Sequence, residues 1–229
     1  MNIFFLHHES RKCAEMHCDK HVPKLIVEIA QMMASALRRH GVSDEWFEDN
    51  DVMTLAGTPY KGGYHNHPMT RWVGDTQGNF EYAGDLGVFL CWEYSLRYKW
   101  ADGTSKQHAC AENIETMLYH AYQFIPKGEW TNPPQCMPDE YKHESVITAY
   151  RNYYIGEKAY FAKWEKGRDA PAWFVARQTL YRGNSQDGLR NESDSTSVDM
   201  GILGSGNLAN TTVKHDVVFR GHNRGDLNG

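Results

Sequence analysis

Histidine, lysine and glutamate side chains recur at three- and four-residue steps early in the chain. At about 100° per residue, a continuous helix places them within roughly 80° of one another, on its flank. The members of this polar line are His17, His21, Lys24, Glu28, Gln31 and Ser35. Imidazole and carboxylate groups beside an ammonium can move protons around a bound anion, so we predict acid–base roles for His21 and Glu28 and anion binding by Lys24. A solvated helix face is the alternative.

The same line offers a metal site. Two histidines four residues apart on a helix can bind one metal ion, with a carboxylate as the third ligand. His17, His21 and Glu28 would then hold a divalent metal ion as cofactor. The segment HCDKH lacks the glutamate of the HExxH pattern, so the motif is incomplete.

A second cluster, HNHP at 65–68, follows a glycine-rich stretch and precedes Arg71. Histidines separated by one residue can converge on a phosphate or a metal, and glycines let the backbone approach a ligand closely. We predict that His65 and Arg71 orient a substrate or its phosphate, and that His67 takes part in catalysis. The alternative is a helix-capping loop with incidental histidines.

A third line runs along a predicted central helix, where Asn79, Glu93 and Arg97 continue an apolar stripe. Buried charges are costly unless they are paired. We therefore predict that Glu93 and Arg97 form a buried structural pair, with Asn79 as the member that reaches a ligand.

The last predicted helix interleaves cations with tyrosines, because Tyr150, Arg151, Tyr154 and Lys158 lie along one side of it. This combination is suited to phosphate contacts and to stacking on bases. In the alternative interpretation the tyrosines pack the core and the cations extend outward.

A helical scaffold must position these residues. Apolar periodicity predicts helices over about 10–40, 70–100, 106–124 and 139–166. Pro23 either kinks the first helix or lies in the first turn of a new one, and Gly41 ends it. The acidic and glycine-rich stretch 42–78 is predicted to be loop with at most one short helical turn, and Pro68 to open the next helix.

The predicted fold class is therefore mainly α. We expect a single helical domain over 1–182, beginning with a short extended segment, and an irregular tail over 183–229 that is rich in Gly, Ser and Asn and holds at most one short strand. A chain of 229 residues with 41% hydrophobic residues can bury a core without disulfides.

Charge and cysteine content narrow the range of binding partners and cellular compartments that we expect. A net charge of −5 argues against non-specific nucleic-acid binding by the whole surface, but it leaves room for a local basic patch. The first residues are too briefly apolar for a signal peptide or a membrane span. We expect a cytoplasmic protein of a bacterial or phage-infected cell, not bound to a membrane, with its five cysteines reduced.

Three runs carry a resemblance to known proteins. CAEMHCDKHVPKLIVEIAQMM, YHNHPMTRWV and MPDEYKHESVITAYRNYYIGEKAYFAKW together resemble an uncharacterised family of small helical phage and bacterial proteins, over about residues 1–175. The segment before the first helix and the Y-x-x-H-P-x-x-R element are also faintly similar to pyrimidine-dimer DNA glycosylases. That similarity implies base flipping and an N-terminal amine nucleophile with a glutamate nearby, loosely at Glu28.

The expected function is that of an enzyme acting on a nucleobase or nucleotide, free or in DNA, by acid–base chemistry of histidine and glutamate. Its partner would be a nucleotide or DNA. Two alternatives stay open. One is a metal-dependent enzyme that uses the His/His/Glu set, and the other is a non-catalytic phage adaptor or virion-associated protein whose tail makes the interaction.

Overall fold

Helices build the part of the chain that the computed structural model describes, residues 2–176. They are α1 Ser10–Met16, α2 His21–Arg39, α3 Asp44–Asp49, α4 Pro68–Val73, α5 Gln77–Arg97, α6 Ala111–Ala121 and α7 Val146–Lys158, with 3-10 turns at Tyr122–Phe124 and Asp139–Tyr141. Residues 172–176 are also helical. Residues 2–176 contain two isolated β-bridges and no strand. The mainly α fold class is confirmed, whereas the predicted boundary at 182 and the tail 183–229 lie outside the described residues.

The break between α1 and α2 changes the first predicted helix. The chain leaves the helix at His17 and re-enters it at His21, so Pro23 lies in the first turn of a new helix, as one of the two alternatives had it. At the other end, Gly41 adopts a φ of 83° and Val42 N–H donates to Leu37 O at 3.1 Å. This glycine-dependent cap confirms the predicted end of the helix.

The centre of the molecule is α5, which packs against α1, α2 and α6. Its glycines permit this close packing. A Cβ on Gly87 would lie 3.1 Å from side-chain atoms of both Ile29 and Ile114, and one on Gly84 would lie 2.7 Å from Leu118 Cδ1. The buried stripe of α2 packs against it, and its members are Leu25, Ile26, Ile29, Met32, Met33 and Leu37.

Three further predicted helices differ in extent from those of the structure. The helix expected over 70–100 is divided, because Thr76 caps a separate α5 by accepting the Asn79 N–H at its Oγ, at 3.1 Å. The helix expected over 139–166 begins only at Val146, because the Ser145 hydroxyl caps it through Thr148 N–H at 3.3 Å. The helix expected over 106–124 is shorter and is completed by the 3-10 turn.

The N-terminal segment is extended and buried, as predicted, with Ile3, Phe4, Phe5 and Leu6 in the core. The five cysteines are free thiols. Among residues 2–176, none of the helices combines the length and the apolar character that crossing a bilayer requires.

Candidate functional site

The loop over 60–67 lies directly on the polar face of α2. Ser35 Oγ accepts the Gly63 N–H at 2.8 Å and donates to Gly63 O at 3.0 Å. Gly62, at a φ of 76°, packs so closely against the Ser35 hydroxyl that a Cβ there would clash. The two predicted clusters, the polar line of α2 and the HNHP loop, are therefore brought together.

His67 caps the N-terminus of α4 and lies near enough to Glu28 for their charges to interact. Its Nδ1 accepts the Met69 N–H at 3.2 Å, so the ring proton lies on Nε2. Burial lowers the pKa of His67, and the nearby Glu28 carboxylate partly opposes that shift. The Nε2–H of this neutral imidazole can act as a hydrogen-bond donor.

Glu28 is held by two contacts. Its Oε2 accepts the Asn2 backbone N–H at 3.0 Å, and its Oε1 lies 3.4 Å from the Nζ of the exposed Lys24. The side chain keeps 14% of its surface accessible. Glu28 thus has the fixed position and the access to solvent that a catalytic carboxylate needs.

A basic cavity opens where the loop, the end of α2 and α4 meet, and we call it the arginine pocket. Its volume is about 330 Å³, and its lining residues are Arg38, Arg39, His65, Asn66 and Arg71. His65 and Arg71, both predicted to bind substrate or phosphate, are brought together here. Arg38 and Arg39 were missed by the sequence analysis.

Aspartates fix two of the three guanidinium groups. Arg38 Nη1 lies 2.5 Å from Asp44 Oδ1, and Arg39 Nη2 lies 2.9 Å from Asp75 Oδ1. Arg38 Nε also donates to Tyr60 O at 2.8 Å. Within residues 2–176, Arg38 Nη2 is a buried donor that has no hydrogen-bond partner.

Arg71 differs from the other two arginines because its side chain is exposed and makes no ion pair with any residue over 2–176. Its charge is therefore uncompensated. A guanidinium has five N–H donors in a rigid fork that matches the oxygens of a phosphate. The pocket therefore offers one free fork beside two fixed ones.

The histidines at the start of the polar line are buried. Because the chain is not helical at 17–20, the condition of one continuous helix is not met, and His17 is separated from the rest of the line. His17 Nδ1 contacts Cys13 O at 2.7 Å, and His21 stacks on Phe4 with ring centroids 4.9 Å apart. Burial lowers the pKa of each imidazole to about 3.

The predicted His/His/Glu metal set is not assembled. His17 and His21 have ring centroids 6.5 Å apart, but Glu28 is engaged by Asn2 and Lys24 instead. In the part of the chain that the structure describes, no group of three His, Cys, Asp or Glu side chains is arranged to hold a metal ion.

The cation and tyrosine face of α7 does not line the arginine pocket. Tyr150 and Tyr154 are fully buried, and Tyr154 OH lies 2.8 Å from His21 Nδ1 and accepts the Cys18 N–H at 2.9 Å. Arg151 caps the Leu6 carbonyl at 2.8 Å, and Lys158 lies over the Tyr153 ring. This arrangement matches the alternative in which tyrosines pack the core.

Asn79 is also placed in the interior. Its Nδ2 donates to Trp72 O at 3.0 Å, and its Oδ1 accepts the Thr131 N–H at 2.8 Å. The side chain is fully buried and joins α4 to the 125–138 connection. In contrast, the predicted buried pair of Glu93 and Arg97 is confirmed, with Arg97 Nη2 2.8 Å from Glu93 Oε2.

Comparison of the chain with protein-family models, curated proteins and solved structures gives no significant match. Function must therefore be argued from the arginine pocket and its neighbours.

Proposed function

We propose that this protein binds a nucleotide or the DNA backbone through a phosphate held in the arginine pocket, and acts on the attached base. One observation carries the proposal: Arg38, Arg39 and Arg71 come from two helices and line a single cavity, in a chain whose net charge is −5. Arginines gathered around one cavity in an acidic protein favour an anionic ligand.

Phosphate is the anion that the geometry favours. Arg71 can bind two phosphate oxygens with its free fork, and the ion pairs with Asp44 and Asp75 hold the other two guanidinium groups in place. Since these aspartates offset two of the three charges, the pocket suits one phosphate group better than a long polyanion. His65 adds a ring nitrogen at the rim.

The acid–base part of the proposal rests on Glu28 and His67. Both lie at the junction of α2 and the 60–67 loop, and His67 is two residues from His65 and one helical turn before Arg71. Glu28 would take a proton from the water that attacks the glycosidic carbon. The Nε2–H of His67 would donate a hydrogen bond to the base as its glycosidic bond breaks, and the departing base would take its proton from solvent. This assignment keeps two of the three catalytic residues expected from sequence, whereas His21 is buried.

Arg71→Ala is expected to weaken binding of pyrophosphate, a nucleoside monophosphate and single-stranded DNA. Loss of a charge-assisted hydrogen-bond pair worth about 1.5–3 kcal/mol lowers affinity by about 10- to 100-fold. Calorimetric titration measures the small ligands. For DNA, the slope of log K against the logarithm of the salt concentration should also decrease in magnitude by about one, as expected for the loss of one phosphate contact.

Arg11→Ala is the matched control for this experiment, because Arg11 is an exposed arginine paired with Glu15 on α1 and does not line the arginine pocket. The affinities of the Arg11→Ala variant for the same ligands should stay within about twofold of wild type, as expected for loss of a surface ion pair. Equal losses in both variants would assign binding to overall charge and would reject the pocket.

Glu28→Gln should separate binding from chemistry. The amide oxygen still accepts the Asn2 N–H, so the fold and the arginine pocket are retained. Loss of the base should lower the rate of base release from DNA or a nucleotide by about 10²- to 10⁴-fold, measured by chromatography, with affinity unchanged. An undiminished rate would remove Glu28 from the mechanism and leave the phosphate site standing.

A further inference from the structure

A second cavity, which we call the aromatic pocket, lies apart from the arginine pocket and shares none of its lining residues. Four separate segments build it: the N-terminal extension, α5, the 125–138 connection and the start of α7. Its volume is about 110 Å³, and the residues that matter here are Phe5, His7, Tyr82, Trp130, Asn132 and Glu144.

Aromatic rings form a fixed wall of this pocket. Phe5 and Tyr82 stack with centroids 5.1 Å apart and planes 18° apart, and the Tyr82 hydroxyl is anchored on His7 O at 3.0 Å. Trp130 lies 6.4 Å from Tyr82 and leaves 38% of its surface exposed. A planar ring can stack on such a wall without rearrangement of the protein.

Unused polar groups surround the wall. Across residues 2–176, the indole N–H of Trp130, the amide of Asn132 and the carboxylate of Glu144 make no hydrogen bond. His7 Nδ1 accepts the Glu9 N–H at 3.0 Å, which leaves its proton on Nε2. The rim thus offers donors and one anionic acceptor, the complement of a ligand with both a carbonyl and an N–H.

Size selects a single ring. A closed cavity of roughly 150 Å³ holds one benzene molecule, so a partly open pocket of about 110 Å³ would hold a single ring that extends in part into solvent, and a fused bicyclic ring would be covered less completely. The carboxylate of Glu144 disfavours an anionic ligand and favours a neutral one that donates a hydrogen bond.

We propose that the aromatic pocket binds a neutral, planar, six-membered ring with an amide edge, either a ring carboxamide or a lactam ring. The ring stacks on Trp130, whose plane is tilted 54° from that of Tyr82. The carbonyl of the ligand accepts from the Asn132 amide, and its N–H donates to Glu144. This site goes beyond the proposed phosphate site and does not depend on it.

Ligand-observed NMR and calorimetry with the full-length protein test the site, using nicotinamide for the ring carboxamide and uracil for the lactam. At least one of the two is expected to bind, while benzyl alcohol, which lacks an amide, and adenine, which is bicyclic, bind at least tenfold more weakly. The probe that binds more tightly shows whether the pocket prefers a ring carboxamide or a lactam.

Glu144→Ala and Glu140→Ala form a matched pair, because both glutamates are exposed and precede α7, but only Glu144 lines the pocket. Glu144→Ala is expected to lower the affinity for the bound probe about tenfold, and Glu140→Ala to leave this affinity unchanged. The proposal is overturned if neither probe binds, if adenine binds as tightly as they do, or if the two variants behave alike.

Discussion

Replacement of Arg97 by methionine is expected to lower the free energy of unfolding by about 3–5 kcal/mol, because it leaves the buried Asp19 carboxylate without its cation and Glu93 with Arg168 alone. The Arg97 side chain is completely buried. It pairs with Glu93 at 2.8 Å and with Asp19 at 3.2 Å, and it donates to His17 O at 2.7 Å and Glu15 O at 3.0 Å. One guanidinium therefore joins the end of α5 to α1 and to the segment between α1 and α2.

The pKa of Glu93 shows how the charges compensate. Burial alone would raise the pKa of this carboxyl, but hydrogen bonds from Arg168 and Arg97 more than offset that effect, and its pKa is lowered. Urea unfolding followed by circular dichroism measures the stability change.

Two further variants keep the Arg97 prediction decisive. Arg97→Lys retains the charge but cannot reproduce the guanidinium's five donors, so an intermediate loss is expected even if Arg97→Met fails to fold. Arg11→Met, at an exposed ion pair, should change stability by no more than about 1 kcal/mol. A loss below about 1 kcal/mol in Arg97→Met would contradict the structural role given to this network.

Low pH is the second condition expected to change the stability of this fold strongly. His17 and His21 have pKa values of about 3, lowered first by burial, against 6.5 for an unperturbed histidine. Between these values the unfolded chain binds protons that the native protein does not. Stability is therefore unaffected by these two groups above pH 6.5, and it falls as the pH drops from 6.5 towards 3, by up to about 1.4 kcal/mol per pH unit for each histidine.

His17→Asn isolates this effect. The shorter amide can still donate to Cys13 O, but it does not titrate, so unfolding free energies measured between pH 6.5 and 5 should depend less steeply on pH than in wild type. His17 and His21 contribute about equally to the slope of unfolding free energy against pH, so the variant should lose about half of their joint contribution. His120→Asn, at an exposed position on α6, is the control and should keep the wild-type slope. Equal slopes in wild type and His17→Asn would contradict the burial of a neutral His17.

Local signals account for what the sequence predicted correctly. Pro23 and Gly41 have backbone preferences that act within one turn, so they marked the start and end of α2. The spacing of Glu93 and Arg97 on one helix face likewise requires only helical geometry. Such features are readable because the residues that interact are close in sequence.

Features that depend on the tertiary fold could not be read in this way. His17 and His21 were placed on the flank of one helix, with a solvated face as the alternative, because the break at 17–20 leaves no apolar signature. Caps at Thr76 and Ser145 were overlooked because an earlier start signal precedes each of them, Pro68 in one case and the acidic pair at 139–140 in the other.

The arginine pocket illustrates the same limit. Arg38 and Arg39 end α2, where basic residues are favoured in any helix, so their presence carried no functional signal. Only the packing of α4 and the 60–67 loop against α2 brings Arg71 and His65 to them. The same packing joins Ser35 of the polar line to the loop that leads into HNHP, whereas Arg151 donates to the Leu6 carbonyl of the N-terminal segment.

The most direct test of the phosphate site is an NMR titration of the arginine side-chain Nε–Hε signals with pyrophosphate. The Arg71 signal should shift most, with smaller shifts at Arg38 and Arg39, while the signals of the structural Arg97 and Arg151 stay in place. A titration that moves Arg97, Arg151 or the surface Arg11 as much as Arg71, or that moves no arginine signal, would contradict the arginine pocket as the site of phosphate binding.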